Sequence, residues 1–219
     1  KRLGLDYESL HARHPHIVWG QINGYGDFGP IKDNPGFDTV AFWARSGAMM
    51  DLVEKDTSPV NPLIGFGDAT TSCSLAGGIC GGLYNKIKTG EGCKVMVSLF
   101  SQAIWSASAG IASTQYGDIY PKTRLNPGTP VMNTYRSADN IWFYMSILEP
   151  ERYNPKLLKR LGLDGLLDNP SYIGTECREN AVEMTKVLSE EFAKYSYKDI
   201  DLMLAEEDIA HERVQSLKD

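Results

Sequence analysis

The sequence predicts a mixed α/β chain in two parts, residues 1–125 alternating strands with helices and residues 126–219 forming a smaller α+β unit. Three observations predict it. An apolar stripe of helical period runs into a β-rich segment between residues 69 and 100. A stretch rich in proline and glycine, YGDIYPKTRLNPGTP, interrupts the pattern at residues 116–130. Beyond it, two β-rich runs flank a short polar turn and give way to segments of helical spacing.

Taken in order, HIVWGQI at residues 16–22 has the apolar content of a buried strand and ends in the turn Asn23-Gly24-Tyr25-Gly26. Residues 29–36, GPIKDNPG, hold too many helix and strand breakers to be anything but a loop. From Phe37 to Met50, Val40, Ala41, Trp43, Ala44 and Ala48 recur at three- and four-residue intervals, which suits a helix packed on one face. A polar loop follows.

After Asp68, Leu75, Ile79, Leu83 and Ile87 recur every four residues, and Gly90 stands where a helix would stop. This helix contains Gly77, Gly78, Gly81 and Gly82, each costing about 1 kcal/mol relative to alanine. Close approach to a neighbouring helix or sheet is the expected compensation. CKVMVSLF, residues 93–100, reads as a strand, and residues 102–115 as a helix of small residues.

In the second part, residues 131–135 and 141–147 predict a hairpin. Ala181, Met184, Leu188, Phe192 and Tyr195 keep helical spacing. Ser196 and Asp199 resemble a capping box in front of Ile200, Met203 and Leu204.

Composition excludes several classes of function. The 219 residues carry 22 basic and 28 acidic side chains, a net charge of -6, and 42% are hydrophobic. That is a folded chain without the basic footprint that nucleic acid or an anionic membrane requires. No apolar run approaches the roughly 18 residues of a membrane span, and no hydrophobic leader precedes Leu3, so a cytoplasmic location is expected. Cys73, Cys80, Cys93 and Cys177 form no CxxC pair and are expected to be free, buried thiols. His11, His14 and His16 in HARHPH read as a surface tract, because Pro15 breaks the local geometry and no acidic or thiol cluster completes a metal site.

One acidic residue stands apart. In NPLIGFGDATTSC, Asp68 follows two glycines and precedes small residues. An aspartate at that place serves as a helix N-cap. The same helix end favours the ionised carboxylate, the form that acts as a nucleophile, and Gly65 and Gly67 leave room for a ligand. Local chemistry is compatible with both readings.

Five segments carry a family resemblance: KRLGLDYESL at residues 1–10, NGYGDFGPIKDNPGFD at 23–38, GFGD at 65–68, KTGEGCKVMVSL at 88–99 and STQYGD at 113–118. The pairing of GYGxxGPxKDxPGFD with GFGD some 30 residues later is long and specific. Through these the chain resembles the family III CoA-transferases, the group of formyl-CoA transferase, and looks most like the branch of amino-acid-fermenting anaerobes acting on 2-hydroxyisocaproate or aryl-lactates.

The resemblance implies a Rossmann-like large domain, of which residues 1–125 would be a part, followed by a small α+β domain at 126–219. It implies a homodimer of interlocked subunits and a central fragment of a longer protein, with weak or no activity of its own. It implies transfer of CoA from an acyl-CoA to a carboxylic acid, the CoA thioester being a substrate and no cofactor being permanently bound. Asp68 would be the catalytic nucleophile. Arg2, Phe37, Gly65 and Gly67 would border CoA or substrate, while the alternatives are core packing for Phe37 and, the favoured one, a helix N-cap for Asp38.

Ala69 replaces a histidine common in the hydroxyacid branch, and the glycine loop of formyl-CoA transferase has no counterpart between Tyr120 and Tyr135, which argues against formyl-CoA or oxalate. Racemases of the same fold rely on a histidine in a PGHD-type segment. Phe37 occupies that place and cannot exchange a proton. A non-catalytic CoA-binding protein with Asp68 as a cap is the reading from a different class.

Overall fold

The computed structural model describes residues 3–219, and the chain divides into two compact units that part between Pro121 and Lys122, inside the proline- and glycine-rich stretch. Arg2 lies outside the described residues.

The first unit opens with a short helix, α1 (Tyr7–His11), whose N-cap Asp6 accepts the Ser9 N–H at 3.1 Å. Strand β1 (Val18–Asn23) pairs in parallel with β2 (Cys93–Ser98), in register from Val18 opposite Cys93 to Asn23 opposite Ser98. The long connection a parallel pair requires contains α3 (Phe66–Thr89). That helix lies against the sheet by mutual close approach. A methyl group on Gly78 would stand 2.5 Å from Val95, and one on Gly82 would meet Cys93 Sγ at 2.7 Å and Val18 at 2.9 Å. Conversely, Gly20 of β1 makes room for Ile79 and Leu75.

Only half of the predicted wedge is present, since Gly77 and Gly81 face open space among the described residues. Leu83 and Ile87 are likewise exposed. β1 is half-buried rather than buried, and Cys73 and Cys80 are exposed thiols, because α3 covers the sheet with one stripe and leaves much of its remaining surface exposed.

The single helix expected at residues 37–50 is broken. A π-helical turn (Asp38–Ala44) is followed by Gly47 at φ +90° and the short α2 (Ala48–Asp51). β2 stops at Ser98 rather than Phe100 because Ser98 and Ser101 cap α4 (Leu99–Ser106) reciprocally, each hydroxyl accepting the other's N–H at 3.1 Å. The small-residue helix also divides, α5 (Ser108–Thr114) starting after Ala107. Ala41, Phe42, Trp43, Ala48, Leu99 and Ala103 form this unit's core.

In the second unit, the predicted hairpin is β3 (Met132–Arg136) and β4 (Trp142–Ser146), antiparallel with Tyr135 opposite Phe143. A third strand, β5 (Ala210–Arg213), adds to β4 and has no apolar alternation that would reveal it in the sequence. Helices α6 (Pro150–Arg160), α7 (Ala181–Phe192) and α8 (Tyr197–Glu206) complete the unit, α8 being capped by Ser196 as expected. Phe143, Phe192 and Tyr135 pack at the centre, Phe192 meeting Phe143 edge-to-face at 5.0 Å and Tyr135 in a tilted pair at 5.2 Å. The buried Tyr135 hydroxyl donates to the Pro130 carbonyl at 2.6 Å.

Candidate active site

The site forms where α3 begins. Gly65 is the N-cap, and its φ of +86° is a left-handed conformation that glycine adopts without penalty. Phe66 is the first helical residue, and its ring packs on Trp43 at 5.6 Å and on Phe42 at 6.4 Å. Gly67 follows, buried, where any side chain would collide with Asp38 Oδ1 and Phe42. The two glycines therefore have different causes: backbone conformation at the first, and packing at the second.

Asp68 is not the N-cap. It is the third residue of the helix, its side chain is exposed, and no described residue donates to its carboxylate. The capping is done from elsewhere in the chain. Asp38, 4% exposed, accepts the Gly65 N–H at 2.5 Å on Oδ2 and the Gly67 N–H at 3.0 Å on Oδ1. The Phe66 N–H is bound by the Leu63 carbonyl at 3.3 Å. Thus the first amides of α3 are satisfied by Asp38 and the preceding turn, and the Asp68 carboxylate is not spent on them.

Asp38 itself was expected to cap the helix that it opens. Phe37 holds that N-cap position, without a side-chain bond, and Asp38 is the first residue of the π-helical turn. The wide turn points its carboxylate away from its own helix end and at that of α3. Sequence separations of 27 and 29 residues put this contact beyond any local motif. The trace of it in the sequence is the pairing of the PGFD and GFGD motifs.

Phe37 is 72% exposed, so it does not pack in a core. Below the first turn, Thr70 and Thr71 hydroxyls donate to the Gly67 carbonyl at 3.0 and 2.7 Å, and Ser72 to the Asp68 carbonyl at 2.8 Å. These bonds fix the turn that carries Asp68. Ser74 reaches across to Gln102 Oε1 of α4 at 2.6 Å.

His11 stacks on Tyr7 at 5.0 Å, His16 bonds the Gly90 carbonyl, and His14 is exposed. Among the described residues no group of three or more His, Cys, Asp or Glu is placed to hold a metal ion. None of the described helices is long and apolar enough to cross a membrane.

A helix start that presents one uncommitted carboxylate, held by a buried second one, defines a candidate site for carboxylate chemistry. The comparisons give it a family. The model of CoA-transferase family III matches residues 1–219, and the chain belongs to that family.

It is similar to (R)-2-hydroxy-4-methylpentanoate CoA-transferase of Clostridioides difficile, at 34% identity over 100% of this chain and 55% of that protein. It is similar to cinnamoyl-CoA:phenyllactate CoA-transferase of Clostridium sporogenes, at 33% over 99% of this chain and 54% of that protein. Among solved structures, a CAIB/BAIF family protein from Brucella suis matches 99% of this chain and 57% of its own, with a TM-score of 0.77 and 22% identity. A hypothetical protein from Mycobacterium tuberculosis matches 99% and 58%, with a TM-score of 0.84 and 19% identity. The mixed α/β fold is that of these structures. The chain spans about half the length of the relatives it matches.

Proposed function

We propose that the protein to which this chain belongs transfers CoA from an acyl-CoA to a carboxylic acid, with Asp68 as the nucleophile. The observation that carries this reading is the division of labour at α3: a buried Asp38 caps the helix, so the exposed Asp68 carboxylate is left for chemistry.

In the proposed sequence, an Asp68 carboxylate oxygen attacks the thioester carbonyl and expels CoA thiolate, leaving a mixed anhydride. A carboxylate, with an ordinary pKa of about 3.9, is a better leaving group than a thiolate at about 8.5. The anhydride is therefore uphill, and the thiolate must stay bound to trap it. The thiolate attacks the Asp68 carbonyl carbon and releases the donor acid, forming an aspartyl-CoA thioester. The acceptor carboxylate then attacks that thioester, and returning thiolate completes the new acyl-CoA and restores Asp68.

Relatives acting on a 2-hydroxy acid and on phenyllactate support a 2-hydroxy or aryl-substituted acid as acceptor. The same reading assigns residues 1–125 to a Rossmann-like CoA-binding domain and 126–219 to a small domain, in an interlocked homodimer. Arg2, Phe37 and the open side of Gly65 are assigned to its CoA and substrate border. Gly67 is assigned to packing. α-Methylacyl-CoA racemase of Mus musculus is also similar, at 28% identity. The proton exchange of a racemase is disfavoured by Phe37, which has no ionisable group.

The test is intact mass of the full-length protein after incubation with cinnamoyl-CoA, followed by hydroxylamine treatment and peptide mapping. A CoA-mass adduct on the intact protein, which hydroxylamine converts to a hydroxamate on the peptide containing Asp68 with release of CoA, and which is absent in Asp68→Asn, is expected. A folded, CoA-binding protein that forms no adduct returns Asp68 to a structural role.

A further inference from the structure

A cavity of about 370 Å³ opens in the second unit, between the turn joining β3 to β4, the C-terminal end of α7 and the chain that precedes β3. Arg136, the last residue of β3, stands opposite Trp142 of β4, and Arg124 reaches the same indole from the chain before the strand. The guanidinium carbons of Arg136 and Arg124 lie 5.6 and 4.8 Å from the centre of that ring. Each contact is a favourable cation–π pair, yet together they bring two like charges onto one side chain and into one cavity.

The groups around them supply no counter-charge. No acidic residue lines the cavity, and Arg136 forms no ion pair among the described residues. Asp139, in the turn, is committed elsewhere, its carboxylate accepting the Ser137 hydroxyl and, at 2.9 Å, the Tyr197 N–H. The Ser189 hydroxyl, in the opposite wall, donates to the Thr185 carbonyl at 2.7 Å. Asn140 holds the left-handed position of the turn at φ +64°, which asparagine tolerates, and its side-chain amide makes no hydrogen bond among the described residues. What remains is a donor-rich, positively charged recess in a chain whose net charge is -6.

We infer that this cavity is a binding site for a phosphate dianion, free or as the phosphoryl end of a small phosphomonoester. Two guanidinium forks offer paired N–H donors and a double positive charge, which a phosphate matches in both charge and number of oxygens, and Asn140 supplies a further donor. A monocarboxylate would neutralise one arginine only. The lining also lacks the apolar surface that an acyl or aryl body needs, since apart from Trp142, which the arginines cover, its apolar side chains are two alanines. The site belongs to the second unit and uses none of the residues assigned to the reaction, so the anion acts there as an effector that braces the hairpin and α7, and the proposal does not depend on the transferase reading.

The test is calorimetric titration of the full-length protein with inorganic phosphate and with glycerol 3-phosphate at constant ionic strength, alongside thermal unfolding. Saturable binding is expected, with an unfolding temperature that rises with ligand concentration. Tighter binding of the free ion assigns the site to inorganic phosphate, and tighter binding of the ester assigns it to a phosphomonoester. Arg136→Gln is expected to weaken the preferred ligand roughly tenfold or more, and Arg136→Lys, which keeps the charge but loses the fork, to weaken it less. Arg136 is exposed, so neither change removes core packing. Saturating CoA is expected to leave phosphate binding unchanged. The assignment is overturned by an absence of saturable binding, by full affinity in Arg136→Gln, by succinate binding as tightly as phosphate, or by displacement of phosphate by CoA, which would place the anion in the CoA site.

Discussion

Replacing Asp38 with alanine is the sharpest perturbation of the site. Its carboxylate is 4% exposed and accepts two amides, from Gly65 and Gly67, at 2.5 and 3.0 Å. Deleting an ordinary, exposed N-cap costs about 0.5–2 kcal/mol. Here both bonds are made to a charged acceptor inside the protein, and the Gly67 amide is left buried without a partner. The cost is therefore about 2–4 kcal/mol.

Because the chain has two units, a single global transition would blur this number, so the assay is amide hydrogen exchange at Gly67 beside equilibrium urea unfolding. Exchange there is expected to accelerate by roughly 30- to 1000-fold, since each 1.4 kcal/mol is about a factor of ten. Asp38→Asn retains one acceptor oxygen and should lose about half as much. Exchange at Gly67 within threefold of the wild type in Asp38→Ala would refute the assignment of Asp38 as the cap of α3.

The two glycines of the turn should respond differently to alanine. Gly67→Ala introduces a methyl group into space held by Asp38 and Phe42 and should destabilise the unit by about 1–3 kcal/mol or more. Gly65→Ala meets no atom within 4 Å and should cost only the left-handed backbone strain, about 1–2 kcal/mol. Urea midpoints check both, and an equal or reversed order contradicts the packing account.

In the second unit, Tyr135→Phe leaves the buried Pro130 carbonyl without its donor and should cost about 1–3 kcal/mol in thermal unfolding. Burial pushes the Tyr135 phenol well above its ordinary range. The neutral form is thus favoured in the folded state. Its contribution is present below the ordinary phenol value of about 10 and is lost only as the pH climbs past it toward the raised folded value. Burial also pushes the Tyr197 phenol up, so ultraviolet-difference titration of the wild type against Tyr135→Phe should show the loss of one late-ionising tyrosine.

What the sequence by itself determined is whatever depends on neighbours along the chain. The stop of α3 at Gly90 and the cap of α8 at Ser196 follow from adjacent residues. The hairpin of β3 and β4 needs only a short turn. The motif pair PGFD and GFGD was specific enough to carry the family and to single out Asp68. Tertiary structure decided the rest, because those interactions join residues far apart in sequence. Asp38 finds its partners 27 and 29 residues away, so neither its burial nor the freeing of Asp68 from capping is visible in a local window. Arg124, in a segment that reads as a linker, lines a cavity completed by residues of the β3–β4 hairpin and α7. β5 is polar and four residues long, and becomes a strand only because β4 offers it an edge. Local periodicity is set by backbone geometry, whereas the acceptor of an amide, or the wall opposite an arginine, is chosen by which distant segments the fold brings together.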